Sequence, residues 1–116
     1  MKSLRHLQSI SAYHKLANIA PPPHPLISLV DYTQVQYTVD LEELKWKQDY
    51  YTIGLKRNIA YKLFYGHQTY DFEEGLMTFI APNQILNLSA NPNITRKPSG
   101  WLLLIHPDFL WNSSLS

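Results

Sequence analysis

The stretch Tyr65-Gly66-His67-Gln68-Thr69-Tyr70-Asp71-Phe72-Glu73-Glu74-Gly75-Leu76-Met77-Thr78-Phe79-Ile80-Ala81-Pro82-Asn83-Gln84 decides the fold. Its first half is polar, studded with aromatic rings, and stops at Glu73-Glu74-Gly75. A short apolar run, residues 76–80, follows and ends before Pro82. Glycine allows a sharp turn, and proline cannot donate to a sheet ladder, so the run reads as one strand bounded at both ends. A glycine–strand–proline step of this kind is a hairpin unit of a small all-β barrel.

The flanking sequence repeats the pattern. Residues 50–56 and 59–65 are rich in aromatic and branched side chains, with Arg57-Asn58 as a tight turn between them. Residues 84–89 and 101–106 give two more strands, separated by a loop from Asn91-Pro92-Asn93 to Pro98-Ser99-Gly100. Upstream, residues 26–30 form a short apolar run, and residues 35–39 alternate apolar with polar as a half-buried strand does. Residues 40–48 read as an irregular charged loop, although Asp40 and Glu43 are spaced like a capping box. Strands at about ten-residue intervals argue for a sandwich or barrel rather than alternating β and α.

Only the N-terminus has a helical period. Leu4, Leu7, Ile10, Tyr13 and Leu16 recur every three residues, Ser9 or Ser11 is placed to cap, and the helix must end near Asn18 before Pro21-Pro22-Pro23. The expected organisation is therefore an N-terminal arm with a short helix over residues 1–23 and a β-barrel over residues 24–116. Pro107-Asp108-Phe109-Leu110 reads as the start of a helical turn, after which the chain stops. That ending reads as a truncated or naturally bare domain.

Composition excludes several function classes. A chain of 116 residues is one domain, and 45% apolar against 16% charged residues is too apolar for disorder. A net charge of +1 with scattered Lys and Arg gives no footprint for nucleic acid, so no DNA contact is expected from this chain. The absence of cysteine removes disulfides, thiolate metal sites and a cysteine nucleophile. Neither a signal peptide nor a run near the ~20 apolar residues of a membrane span occurs, and the default expectation is a soluble cytoplasmic protein.

Catalytic signatures are missing as well: no P-loop, nucleophile elbow, dinucleotide fingerprint or His-Glu-x-x-His motif occurs. Asp71, Glu73 and Glu74 sit beside Gly75 and read as a solvated turn. The histidines, His6, His14, His24, His67 and His106, are isolated, and one His with a neighbouring carboxylate does not fill a metal shell. His24 and His106 each precede a proline and read as structural. Neither an enzyme nor a cofactor or metal is expected.

The aromatic complement remains. Strands of a small barrel point alternate side chains inward, towards a packed core or a ligand cavity. Tyr51, Tyr65, Tyr70 and Trp101 suit either use, since each joins apolar area to a polar tip. Lys56 and Gln84 sit at the ends of apolar strands and need a partner if they face inward, which a ligand can supply. With His67 these make the candidate ligand-binding set: Tyr51, Lys56, Tyr65, His67, Tyr70, Gln84 and Trp101. Which half of each strand faces inward stays open, because register is not encoded locally.

Three groups of residues carry a family likeness: Pro23-His24-Pro25-Leu26-Ile27 with Asp31; residues 51–56 with Tyr65-Gly66 and Tyr70-Asp71-Phe72; and Glu74-Gly75, Phe79, Pro82, Gln84, Gly100-Trp101 and His106-Pro107-Asp108-Phe109-Leu110. In order and spacing, over residues 9–111, they resemble the N-terminal sensor domain of AraC-family transcriptional regulators. The resemblance implies a cupin-like (double-stranded β-helix or jelly-roll) barrel that binds a small-molecule effector, a sugar or other metabolite. It implies a dimerisation segment and helix-turn-helix units beyond this chain, a possible homodimer, and an arm that folds over the ligand. Two alternatives stand beside it. One is a metal-dependent cupin enzyme, an isomerase or dioxygenase, which the missing paired histidines disfavour. The other is a stand-alone carbohydrate- or partner-binding β domain with its aromatic rings outside.

Overall fold

A computed structural model describes the backbone of residues 3–57, 61–65, 68–70, 76–90 and 99–114, and side chains for residues 3–57, 77–88 and 99–111. Within these residues the chain runs β1 (Arg5–Leu7), α1 (Ile10–Leu16), β2 (Ile27–Asp31), β3 (Lys45–Gln48), β4 (Tyr51–Arg57), β5 (Tyr61–Tyr65), β6 (Gln68–Tyr70), β7 (Leu76–Ile80), β8 (Ile85–Ala90), β9 (Ser99–Ile105) and α2 (Pro107–Ser114). Single 3₁₀ turns cover Tyr32–Gln34 and Leu41–Glu43. The domain is β-rich, in two sheets. One has the order β1-β3-β8-β5-β6 and the other β2-β9-β4-β7. All pairs are antiparallel except β1 with β3.

Alternation builds the core. Ser28 and Val30 of β2, Leu102 and Leu104 of β9, Thr52 and Lys56 of β4, and Ile80 of β7 are buried on one face of the second sheet. Trp46 and Gln48 of β3 and Leu86 and Leu88 of β8 are buried from the first sheet, and the apolar members of both sets join one cluster. Leu7, Ile10, Tyr13, Leu16 and Ala17 complete that cluster, so the N-terminal segment is docked into the core.

Local chemistry explains the docking. Ser9 is the N-cap of α1, its hydroxyl accepting the amide of Ala12 at 3.1 Å. Asn18 takes a left-handed backbone (φ 56°), and the amides of Asn18 and Ile19 bond the carbonyls of Lys15 and His14, closing the helix in a Schellman arrangement. His14 then ties the helix to its surroundings. Its Nδ1 donates to the Ala20 carbonyl at 2.6 Å, and its Nε2 accepts from the Ser28 hydroxyl on β2 at 2.7 Å.

Two expectations are corrected. Residues 35–39 form no strand. They run extended along the end of α1, where the amides of Gln36 and Thr38 bond the carbonyls of Ala17 and Leu16. The alternation is nonetheless used, because Val35, Tyr37 and Val39 pack on the core. In residues 40–48, the charged loop gives way to a 3₁₀ turn and then β3, with Trp46 and Gln48 inward and the two lysines flanking them. Asp40 makes no side-chain cap there. The Arg57-Asn58 turn and the Asp71, Glu73, Glu74 cluster lie outside the described residues. The strands read at residues 26–30, 50–56, 59–65, 76–80, 84–89 and 101–106 all appear, shifted by at most two residues at an end.

The two His-Pro dipeptides act alike. Nδ1 of His24 accepts the Leu26 amide at 3.0 Å, and Nδ1 of His106 accepts the Asp108 amide at 3.1 Å at the start of α2. The His106 amide bonds the Leu26 carbonyl, and the His24 ring meets Phe109 edge-on at 5.7 Å, so the two turns are joined.

Gly100 is the one strand residue with φ near +117°, and a Cβ there would lie 1.9 Å from the Leu55 carbonyl oxygen. Only glycine lets β9 lie this close to β4 opposite Lys56. Gly100→Ala is therefore expected to lower stability by at least ~1 kcal/mol, read as the shift of the urea midpoint.

Candidate functional site

Between the sheets lies a small void of about 20 Å³, room for roughly one water. Leu86, Leu88, Leu102, Leu104 and Ile80 form its apolar walls. Its remaining lining comes from Tyr13, Tyr37, Trp46, Gln48, Thr52 and Lys56. These come from four separate segments of the chain: the helix, the extended segment, β3 and β4.

The polar groups form a connected set. Gln48 is fully satisfied: its Oε1 accepts the Trp46 indole N–H at 3.1 Å, and its Nε2 donates to the Tyr50 carbonyl at 2.8 Å and the Thr52 hydroxyl at 2.9 Å. The hydroxyls of Tyr13 and Tyr37 share a hydrogen bond of 3.0 Å. Their rings and that of Trp46 lie 6.0 to 6.2 Å apart, tilted or edge-on, as aromatic quadrupoles prefer. Burial holds the Tyr37 phenol well above its usual range, opposed only by the Tyr13 hydrogen bond.

Lys56 stands out. It is 6% exposed, its ammonium lies 5.0 Å from the centre of the Tyr32 ring, and burial pulls its pKa down to about 8. The cation–π contact favours the charged form, and desolvation opposes it.

The candidate residues separate by strand parity. Lys56 faces the void with Thr52. Tyr51 and Trp101 lie on the opposite face, as their register shows: Ile27, Ile105 and Tyr51 form one cross-strand row, Leu29, Leu103, Ile53 and Phe79 the next, and Asp31, Trp101, Leu55 and Met77 the third. Tyr51 and Phe79 stack there with centroids 5.8 Å apart. Gln84 is half-buried in the turn between β7 and β8. Tyr65 ends β5 and Tyr70 ends β6, but their side chains, like the whole of His67, lie outside the described residues.

Of the lining residues only Lys56 belongs to the candidate set read from the sequence; among the polar and aromatic ones Tyr13, Tyr37, Trp46, Gln48 and Thr52 escaped it. Tyr13 and Tyr37 carried signals, a helical period and an alternation, that pointed to packing and not to each other. Trp46 and Gln48 were hidden between lysines. Among the described residues no group of three His, Asp or Glu side chains gathers as a metal site, and no helix is long and apolar enough to cross a membrane.

Two stability tests follow from this geometry. The Tyr50 hydroxyl is buried with no hydrogen-bond partner among the described residues. Tyr50→Phe removes that orphan and is expected to raise stability by roughly 1 kcal/mol in urea unfolding. Lys56→Met removes a buried group whose burial disfavours its charge, so its effect on stability depends on pH. Its sign with pH is fixed. Between pH 8 and 10.5 the unfolded chain binds more protons at this lysine, so wild-type stability rises through that window while the penalty persists in full below pH 8. The stability of Lys56→Met relative to wild type should therefore fall from pH 8 to pH 10, measured as the difference in urea midpoints. No protein-family model, curated protein or solved structure matches the chain.

Proposed function

We propose that this chain is a non-enzymatic ligand-sensing domain, a cupin-like barrel of the AraC-regulator type, whose small-molecule effector binds between the two sheets. The observation that carries the reading is Lys56: a buried lysine with a depressed pKa, beside Gln48, Thr52 and a tyrosine pair, in the polar part of an otherwise apolar interior. A buried titratable group with a shifted pKa beside other polar side chains in a recess is a functional-site candidate. The ammonium and hydroxyls suit a sugar or a small carboxylate. The void as it stands admits about one water, so a metabolite enters only if a wall moves. Tyr13 is the wall carried by α1 rather than by a sheet. Effector binding is thereby coupled to the N-terminal arm, which would relay the signal to DNA-binding units outside this chain.

A second reading, a partner-binding β domain with external rings, is favoured by Tyr51, Phe79 and Trp101, which share the outer face of the second sheet.

The sensor reading is tested by thermal shift of the full chain against monosaccharides and small aliphatic and aromatic carboxylates. A true effector at ~100 times its dissociation constant adds ~2.7 kcal/mol of stability. Lys56→Met should abolish that gain while remaining folded. A compound that stabilises the Lys56→Met variant as much as wild type, or a panel with no effect on wild type, defeats the interior site.

A further inference from the structure

An antiparallel sheet solvated on one face normally shows polar side chains there. The outer face of β2-β9-β4-β7 does the reverse. Its three cross-strand rows hold ten apolar side chains, and Leu29, Met77 and Phe79 are 71%, 59% and 56% exposed. At such exposures the face presents on the order of 600 Å² of apolar surface, the upper end of what an ordinary monomer leaves open. Its charged residues, Asp31 and Arg57, both sit at the end where β9 begins. An apolar centre with charge at the rim is the anatomy of a protein interface.

We infer that this face pairs with the same face of a second copy, about a two-fold axis running parallel to the strands. This names the partner in the second reading above and is independent of the interior site. Area and charge both select a second copy. Two such faces bury about 1,200 Å² together, which reaches the range of specific interfaces. Packed sheets with aligned strands are an established solution for two apolar sheet faces. The axis lays β9 over the partner's β4 and β2 over the partner's β7. Register then sets Asp31 one strand spacing (~4.8 Å) across, two residues (~6.8 Å) along and one sheet separation (~10 Å) from Arg57 of the partner subunit, about 13 Å between backbones, which an extended arginine and an aspartate span together. Both Asp31–Arg57 pairs, related by the axis, therefore meet at the end where β9 begins, and the apolar rows cover each other over the rest of the face.

Sedimentation equilibrium of the full chain tests this. A dimer is expected in the micromolar range. Leu29→Glu and Phe79→Lys should each weaken it about tenfold or more, since each puts a charge into the centre. Arg57→Glu and Asp31→Lys should each weaken it and the double variant should recover much of the loss, a result that general surface stickiness would not give. Asp31 also caps the Tyr32–Gln34 turn through Thr33, so circular dichroism confirms that each variant is folded. Lys56→Met should leave the dimer intact, which separates this proposal from the interior site. A wild-type chain that stays monomeric at ~100 μM, or a dimer indifferent to Leu29→Glu and Phe79→Lys, overturns it and leaves the face to a different partner.

Discussion

Lys56 and Tyr51 occupy one strand at opposite parity, so they cannot both face the interior. The pairing of β4 with β9 decides which one does. That ladder runs from Tyr51 opposite Ile105 to Arg57 opposite Ser99, the full length of both strands. A slip of one residue would exchange every inner side chain of β4 for an outer one. Buried Thr52 and Lys56 would leave the core, and Tyr51, Ile53 and Leu55 would enter it. Gly100 holds the register from the β9 side, because only a residue without Cβ tolerates the approach of the Leu55 carbonyl. The interior site and the outer apolar face are thus two consequences of one alignment.

The N-terminal segment supplies what two sheets alone lack. Ile10, Tyr13 and Leu16 are buried in the common cluster, and Tyr13 reaches the void. The polar bonds that hold the segment include the strand pairing of Arg5–Leu7 with β3, the His6 contact with Asp49, the His14 link to Ser28, and the extended run of residues 35–39 against the helix end. These are hydrogen bonds whose donors and acceptors find water readily on release, each worth about 1 kcal/mol net. The helix has only seven residues and no stability of its own. Tertiary packing forms it: Leu7, Ile10, Tyr13, Leu16 and Ala17 are core residues, so displacing the segment would open the interior.

The legible and illegible parts of the sequence divide on whether the signal was local. Residues 76–80 were readable because glycine and proline fence them. Ser9 and Asn18 were readable because caps act within one turn. Residues 35–39 show the limit of this: their alternation reported burial correctly, but the amide partners turned out to be carbonyls of α1 rather than a neighbouring strand. β3 failed differently. Leu44, Trp46, Gln48 and Tyr50 are all buried, a clean period of two, but Lys45, Lys47 and the polar Gln48 masked it. A glutamine reads as solvent-exposed until the indole, carbonyl and hydroxyl that satisfy it are known. For the site, Lys56 was legible because a polar end on an apolar strand demands a partner. The Tyr13–Tyr37 pair was not, being made across 24 residues of sequence.

β4 concentrates the conflict in this fold. Its inner face offers Thr52, Gly54 and Lys56 to the core, and its outer face offers Tyr51, Ile53 and Leu55, the reverse of what a half-buried strand should show. Each side carries a cost. The inner lysine is desolvated, and the outer side chains hold water against apolar surface. Its neighbour β9 offsets only the first, with Leu102 and Leu104 inward, and adds to the second, with Trp101, Leu103 and Ile105 outward. Either cost alone would be a local defect in an otherwise consistent pattern. Together on one strand they locate both proposed contacts, since an interior ligand would relieve the first and a covering surface the second. The polarity inversion of β4, rather than any single residue type, is the observation that the two proposals share.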